Sequence, residues 1–497
     1  MVYMHNSSHR RMLLHNTKLT MHLLGLALSM GGCAQLPSLN ESAVPKTPST
    51  YQTSQSFASS VCNWPDERWW EGYQDPQLNL LIDDALKDSP DLAAAFARLH
   101  RAEAFGQISG ASLKPQISAN AAATEQKLSY NYLTPRSMTP NGWNDYGKAS
   151  LDFSWELDFW GKNRAALAAA TSQIEASHAE LAQAKLILAS VIAANYAELA
   201  HLFAQQETLS SSIAVRAKTT RLFQERFANG LETKGAISTA QARLAEAEGD
   251  LLIINEQIGL QRNRLSALVG AGPDRGLSIK HPVINIQNNL KLPSNLAVDL
   301  LGRRPDINAA RLQVEAQLSR IDQKKAEFYP NINLSAFIGV QSLGLNMLSD
   351  HGSSIGGIGP AISLPLFTAG RLQGELRGAQ ATYDEVVANY NRTLTQALEE
   401  VANAVVSQKA LNSQLLKAEE AVSAAQESYR VAHNRYDGGL GNYIDVLYAE
   451  DTLLGTKRTL ANLQSRILSL DIALKRSLGG GYTHTTISTE GNEYVRN

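Results

Sequence analysis

Tyr429-Arg-Val-Ala-His-Asn-Arg-Tyr-Asp-Gly-Gly-Leu-Gly-Asn-Tyr-Ile-Asp-Val-Leu447 reads as the end of a hairpin between two long helices, and the chain carries an earlier copy of it. Thr220-Arg-Leu-Phe-Gln-Glu-Arg-Phe-Ala-Asn-Gly-Leu231 sets Arg221, Arg226, Phe227, Gly230 and Leu231 where the later stretch sets Arg430, Arg435, Tyr436, Gly439 and Leu440, each pair 209 residues apart. The same spacing relates Gly161 to Gly370 and Gly270 to Gly479, so the duplication extends through both flanking segments. A repeat of this length dictates architecture before any local motif does.

Gly230 and Gly439 stand where a helix must end, because glycine enters the left-handed region without a Cβ clash. Upstream of the first turn, residues 163–228 contain no Pro and no internal Gly and are dense in Ala, Leu, Glu, Gln and Lys, strong helix formers. One helix of that length reaches on the order of 100 Å, which suits a coiled coil or helical array; it reads as too polar to span a membrane. Leu181, Leu188, Ile192, Leu199 and Leu202 recur at spacings of three, four and seven, marking the packed seam.

The chain has 497 residues and a formal charge of −2, so nothing in its charge points to a nucleic-acid partner. Arg10, Arg11 and Lys18 precede the apolar run Leu23-Leu-Gly-Leu-Ala-Leu28, and Gly31-Gly32 lead into Cys33. This is the form of a secretory signal peptide over residues 1–32. Residues 33–65, rich in Ser, Thr, Pro and Gln, read as an extended linker. Cys62 is the one other cysteine and reads as a lone thiol in that arm.

Asp75-Pro76 and Ser89-Pro90 open two helices. The second has its own copy, because Pro90-Asp91 and Pro115-Gln-Ile117 match Pro305-Asp306 and Pro330-Asn-Ile332 at a spacing of 215. The six-residue change from 215 to 209 therefore falls in the stretch between, where strands are expected. Leu151-Asp-Phe-Ser-Trp-Glu-Leu-Asp-Phe159 alternates large apolar with polar residues without exception. Weaker alternation runs through Ile117, Ala119 and Ala121, through Ile332 to Val340, and through Ile358, Ile362, Leu364 and Leu366. Four strands make two hairpins with tips near 133–142 and 343–357. Alternation alone fits a small soluble sheet as well as a transmembrane barrel with a wet lumen. The secretion signal, with no later apolar run of about twenty residues, favours the barrel. Four strands cannot close one, and an open edge in lipid leaves backbone groups unpaired, so subunits must share it.

These stretches resemble the TolC-like outer-membrane factor family, in its lipoprotein, NodT-like branch that serves multidrug efflux. The resemblance rests on Trp69-Trp70-Glu-Gly-Tyr-Gln-Asp-Pro76, Ser154-Trp-Glu-Leu-Asp-Phe-Trp-Gly161, Arg303-Arg-Pro-Asp306, Phe328-Tyr-Pro-Asn331, Leu364-Pro-Leu-Phe-Thr-Ala-Gly-Arg371 and Arg435-Tyr-Asp-Gly-Gly439, and covers about residues 66–480. It implies a mixed α and β membrane protein: a homotrimer whose twelve-stranded transmembrane β-barrel, four strands per chain, continues as a periplasmic α-helical coiled-coil barrel. The first repeat would span 66–270, with a β-hairpin at 116–159 and a helical hairpin at 163–269. An equatorial linker follows at 271–304. The second repeat would span 305–480, with hairpins at 331–367 and 372–478, before a disordered tail at 481–497. The function implied is the outer-membrane exit duct of a tripartite pump, with a periplasmic adaptor and an inner-membrane pump of RND or MFS type. Protein export by a type I system keeps the fold and changes the cargo. A lipid-anchored periplasmic coiled-coil scaffold would explain the helices but not the alternating hairpins.

Met30-Gly-Gly-Cys33 resembles a lipoprotein processing box, which makes Cys33 the acylated, palmitate-bearing first residue, held at the outer-membrane lipid. Gly230, Leu231, Gly439 and Leu440 are expected to meet the adaptor, two similar tips per chain. Asp445 matches a position of an axial aspartate ring in the family and Tyr436 a tyrosine of its gating network. Gly441 stands where the family has a gating arginine, and Tyr448 where it has a second ring aspartate. Asn442 with Asp445 also fits a helix N-cap. No nucleophile, cofactor, phosphate or metal motif is found: of eleven His, four lie in the signal region and one in the tail, and the rest lack ligand spacing. The chain is not expected to be an enzyme.

Overall fold

A computed structural model describes residues 36–37, 41–53, 55–57, 61–285, 292–293 and 296–483. The expected signal peptide, Cys33 and the tail from 484 lie outside them. The second half repeats the order of the main elements of the first. Helix α1 spans Pro76–Asp88 and α2 Pro90–Ala111; after strands β1 (Gln116–Gln126) and β2 (Asn144–Glu156) come α3 (Lys162–Ala228) and α4 (Lys234–Leu268). The second half runs through α5 (Leu296–Arg303), α6 (Pro305–Ala326), β3 (Asn331–Leu343), β4 (Ser354–Ser363), α7 (Arg371–Asp437) and α8 (Tyr443–Ser477). Helices α3 and α7 have 67 residues each and α4 and α8 have 35 each. The halves differ in length mainly in the strand connections, residues 127–143 and 344–353.

The chain divides into two compact units. Among the described residues the first takes in 36–37, 41–44, 100–175 and 311–389 and holds a four-stranded antiparallel sheet in the order β1-β2-β3-β4. Direct partners share a face, so Ile117, Phe153, Ala336 and Ile358 form one row, and Ser118, Asp152, Phe337 and Gly357 form a row on the opposite face. On the apolar side Ile117, Leu151, Ile338, Ile358 and Ile362 stand largely exposed. Strands β1 and β4 are edges with no further strand beside them among the described residues.

Two strand ends fall short of the sequence pattern. Strand β2 stops at Glu156 although alternation continues to Phe159. The Asp158 carboxylate accepts from the N–H groups of Asn163 (3.1 Å) and Arg164 (2.8 Å) and so serves the start of α3 instead of the ladder. Strand β4 ends at Ser363 rather than near Leu366; Pro365 has no N–H to extend it.

The second unit takes in the described residues within 45–99, 176–310 and 390–483. Trp69, Trp70, Tyr73, Leu78, Leu81 and Ile82 are buried, as are all five seam residues named above on α3. Asp75 caps α1 through Gln77 N–H (2.9 Å) and also accepts from the Tyr196 hydroxyl (2.7 Å). Arg304 is buried. It joins Asp306 (2.6 Å) and Glu400 (2.7 Å) and donates to the Ser477 carbonyl (3.0 Å), tying the start of α6 to α7 and to the end of α8. One correction concerns α3. A window of it is long and apolar enough to cross a membrane by length and composition, against the expectation of excess polarity, but 61% of that window is buried inside the fold.

Candidate functional site at the helical hairpin ends

Both helical hairpins close with the same backbone device, within the second unit. Gly230 (φ 71°) and Gly439 (φ 69°) sit in the left-handed region. Leu231 N–H reaches the Arg226 carbonyl and Leu440 N–H the Arg435 carbonyl, both at 2.8 Å, while the glycines donate to Phe227 and Tyr436. This is the Schellman pattern, in which a glycine and the residue after it satisfy orphan carbonyls at a helix end. The next helices open on side-chain caps. Thr233 Oγ1 accepts from Ala236 N–H (3.2 Å) and Asn442 Oδ1 from Ile444 N–H (3.1 Å). Leu231 and Leu440 stand out from these turns, 67% and 76% exposed.

The side chains around the two turns are not alike, and they meet each other. Phe223 of α3 packs against Tyr443 (4.0 Å between ring centroids) and Tyr436 (6.4 Å), in a buried cluster with Ala240, Val446 and Leu447. The Tyr436 hydroxyl donates to Glu232 Oε2 at 3.3 Å, and the Arg226 guanidinium lies 4.8 Å from its ring centre. Burial pushes the Tyr436 hydroxyl above its ordinary pKa; Arg226 opposes this and Glu232 adds to it. Burial likewise raises Tyr443.

About two turns into α8 lies an ion cluster that joins the hairpins. Arg216 of α3 contacts Glu450 (3.3 Å) and Asp451 (3.4 Å) and donates to the Arg243 carbonyl (2.7 Å), and Arg243 of α4 holds Asp451 at 2.6 Å. Glu450 is buried, and burial raises its carboxyl above the ordinary glutamate value against the pull of Arg216. Beside the cluster a hollow of about 520 Å³ opens between α3, α4 and α8, lined among others by Arg216, Asp250, Asp451, Gly455 and Arg458.

Tyr436 and Asp445, named together from the sequence, are therefore placed differently. Tyr436 is buried between the hairpins, while Asp445 is exposed on the first turn of α8. There it borders a hollow of about 500 Å³ with Glu427, Arg435, Gly441 and Tyr448. The cap at this helix start is carried by Asn442. Sequence reasoning missed Arg216, Phe223, Arg226, Glu232, Arg243, Glu450 and Asp451. A signal for four of them exists in the repeat: Arg216 stands opposite Ala425, Arg243 opposite Thr452, Glu450 opposite Gln241 and Asp451 opposite Ala242. The bases belong to one copy and the acids to the other. Among the described residues no group of three or more His, Cys, Asp or Glu is arranged to hold a metal ion.

The sequence model of the outer membrane efflux protein family matches residues 81–271 and 296–480, one segment for each repeat. The multidrug resistance outer membrane protein MdtP of Escherichia coli strain K12 is 30% identical over 467 residues, 93% of this chain and 96% of that protein. MdtQ of Escherichia coli O157:H7, named as a multidrug resistance outer membrane protein, is 31% identical over 477 residues, 92% of this chain and 97% of its own. Among solved structures, the outer membrane protein VceC of Vibrio cholerae superposes with a TM-score of 0.80 at 50% identity, covering 84% of this chain and 100% of that one. The Campylobacter jejuni CmeC outer membrane channel shares the fold, with a TM-score of 0.81 at 24% identity, covering 91% of this chain and 96% of that one.

Proposed function

The chain belongs to the outer membrane efflux protein family, and from that premise we propose that it is the exit duct of a tripartite pump, conducting drugs or other small toxic compounds passively from the periplasm to the exterior. It is an outer-membrane channel and not an enzyme. The observation that carries the proposal is the likeness along 93% of the chain to a protein named for multidrug resistance, with the family match running through most of both repeats. The sheet adds physical support: each chain offers four strands with two open edges, and three chains closing edge to edge leave no unpaired backbone in lipid. The test is direct. Deleting the gene should raise intracellular accumulation of a fluorescent drug, and purified trimers should conduct ions in planar bilayers; normal accumulation with non-conducting trimers would refute the duct.

Finer assignments belong to the same proposal. Cys33, outside the described residues, is taken as the acylated anchor; a single chain binds membranes only marginally, so the barrel supplies most of the retention. Cys33→Ser should abolish palmitate labelling, and persistent labelling would overturn the assignment. The partners are an adaptor and an inner-membrane pump of RND or MFS type. The exposed Leu231 and Leu440 turns are the adaptor contacts, six per trimer, and photocrosslinkers at those two positions should capture it in cells. If neither does, the interface lies elsewhere.

The gate is assigned to the second hairpin. Asp445 supplies an exposed carboxylate that three chains would bring to an axis, attracting cations. Tyr436 latches its hairpin to Glu232 and Arg226 of the first, which supplies a closure where Gly441 replaces the family's arginine. Asp445→Asn should weaken block by divalent cations from the periplasmic side; unchanged block in normal trimers would reduce Asp445 to a solvated helix residue.

A further inference from the structure

The row Ser118, Asp152, Phe337 and Gly357 crosses all four strands on the polar side of the sheet, and its third member breaks the pattern. Around it the same face carries Asn120, Ser150, Ser154, Ser335 and Gln341, as a water-facing barrel wall requires. Phe337 is an aromatic ring among them, 41% exposed. Its cross-strand neighbour is Gly357, and a Cβ there would meet Phe337 Cε1 at 2.9 Å, so the ring rests over the bare backbone of β4. Covering a strand glycine with a ring is itself stabilising. It also leaves the ring beside a hollow of about 550 Å³, bordered on this face by Asp152, Ser154, Ser335 and Gly359.

The charge beside the ring is organised. Asp152 lies directly opposite Phe337, and its Oδ2 accepts from Asn120 Nδ2 and Ser150 Oγ, both at 2.8 Å. Both bonds go to one carboxylate oxygen. Lys148, four residues along β2, already holds its ammonium over the ring at 5.9 Å from the centre, within cation–π reach, so an arriving cation takes the place of this flexible side chain. A fixed carboxylate next to an exposed ring matches a flat solute that carries positive charge, with the ring stacked on Phe337 and the cationic group against Asp152.

We propose that Phe337 and Asp152 form a contact site in the barrel lumen for planar aromatic cations, a cargo class of the duct. The inference rests on the reading of this sheet as part of an efflux channel. Three chains supply three copies of the site. Each holds its solute weakly, as a passage point requires.

The test uses purified full-length trimers in planar bilayers, with ethidium added on the side of the strand-connecting loops and spermidine as a cation without rings. Ethidium should interrupt the wild-type current. Phe337→Leu, which keeps bulk and loses the ring, should shorten those interruptions about two- to tenfold, and Asp152→Asn should shorten them as well. Spermidine block should be unaffected by Phe337→Leu. Ethidium interruptions of unchanged length in both variants would overturn the site while leaving the duct intact, as would wild-type current indifferent to ethidium. Block by an anionic dye such as anilinonaphthalene sulfonate, lost in Lys148→Met, would overturn the cationic assignment. Trimers that never conduct would remove the duct reading, and the site with it.

Discussion

The ends of the two helical hairpins share one backbone and differ in chemistry. The Schellman turns at Gly230 and Gly439 superimpose bond for bond, and each following helix opens on a capping side chain. Around that common frame the first hairpin contributes Arg216, Arg226, Glu232 and Arg243, and the second contributes Tyr436, Tyr443, Glu450 and Asp451. Duplication supplied two equal scaffolds, and divergence made them complementary. The contacts between the copies join non-equivalent residues, and divergence placed the bases of the ion cluster on one hairpin and its acids on the other.

The ion cluster is where breaking that complementarity should cost most. Arg216→Ala strands the buried Glu450 carboxylate, and removing one member of a buried pair costs about 3–5 kcal/mol. The expected readout is a large fall in the thermal midpoint of detergent-solubilised protein. A midpoint near wild type would mean that the Arg243–Asp451 pair and the aromatic cluster suffice to hold the hairpins together.

The caps sharpen the comparison from the other side, because here the copies should behave alike. Asn442→Ala and Thr233→Ala should each destabilise by about 1 kcal/mol, measured by denaturant midpoint. A much larger loss at Asn442 would show that the second turn has work beyond capping.

Smaller again is the bond between Tyr436 and Glu232. Tyr436→Phe and Glu232→Gln should each cost roughly 0.5–1.5 kcal/mol, and the double variant should cost little more than either single one. Full additivity in that cycle would show that the 3.3 Å contact carries no coupling.

Glu450→Gln tests the sign of the electrostatics. Burial raises the carboxyl of Glu450 in the folded chain, so its contribution is fully present below the ordinary glutamate pKa and is lost as pH rises through the raised value. Wild type should therefore lose ground to Glu450→Gln as pH is raised from 4 to 7, by a shift in midpoint smaller than any above. The opposite trend would mean that attraction to Arg216 outweighs desolvation.

How much of this was legible before folding depends on the range of the interaction. The seam residues Leu181 to Leu202 lie on one stripe of α3, and periodicity alone finds them because a helix fixes which residues share a face. The sheet was legible for the same reason, since alternation assigns faces, although it overran at Leu157–Phe159. Asp158 has two possible employers there, ladder and helix start, and the pattern cannot say which one takes it. Phe337 escaped notice because it lies on the polar face of β3, between the alternating apolar positions Ile332 to Val340 that identified the strand. At the candidate site Tyr436 and Asp445 were named together because each matches a gate position of the family the chain resembles; one is buried between the hairpins and the other exposed.

By itself the sequence determined the duplication, the helix lengths, the turns at Gly230 and Gly439 and the alternation of the strands. Each depends on backbone preference or on spacing within a few residues, which any stretch carries wherever it packs. Only the tertiary structure decided that Arg216 faces Glu450, 234 residues on, and that Tyr436 faces Glu232, 204 residues back. The repeat spacing of 209 aligns equivalent residues, whereas contact between copies joins non-equivalent ones. Which of them meet is set by how side chains of two separate hairpins interlock, a matter of shape and desolvation at the interface that has no period along the chain.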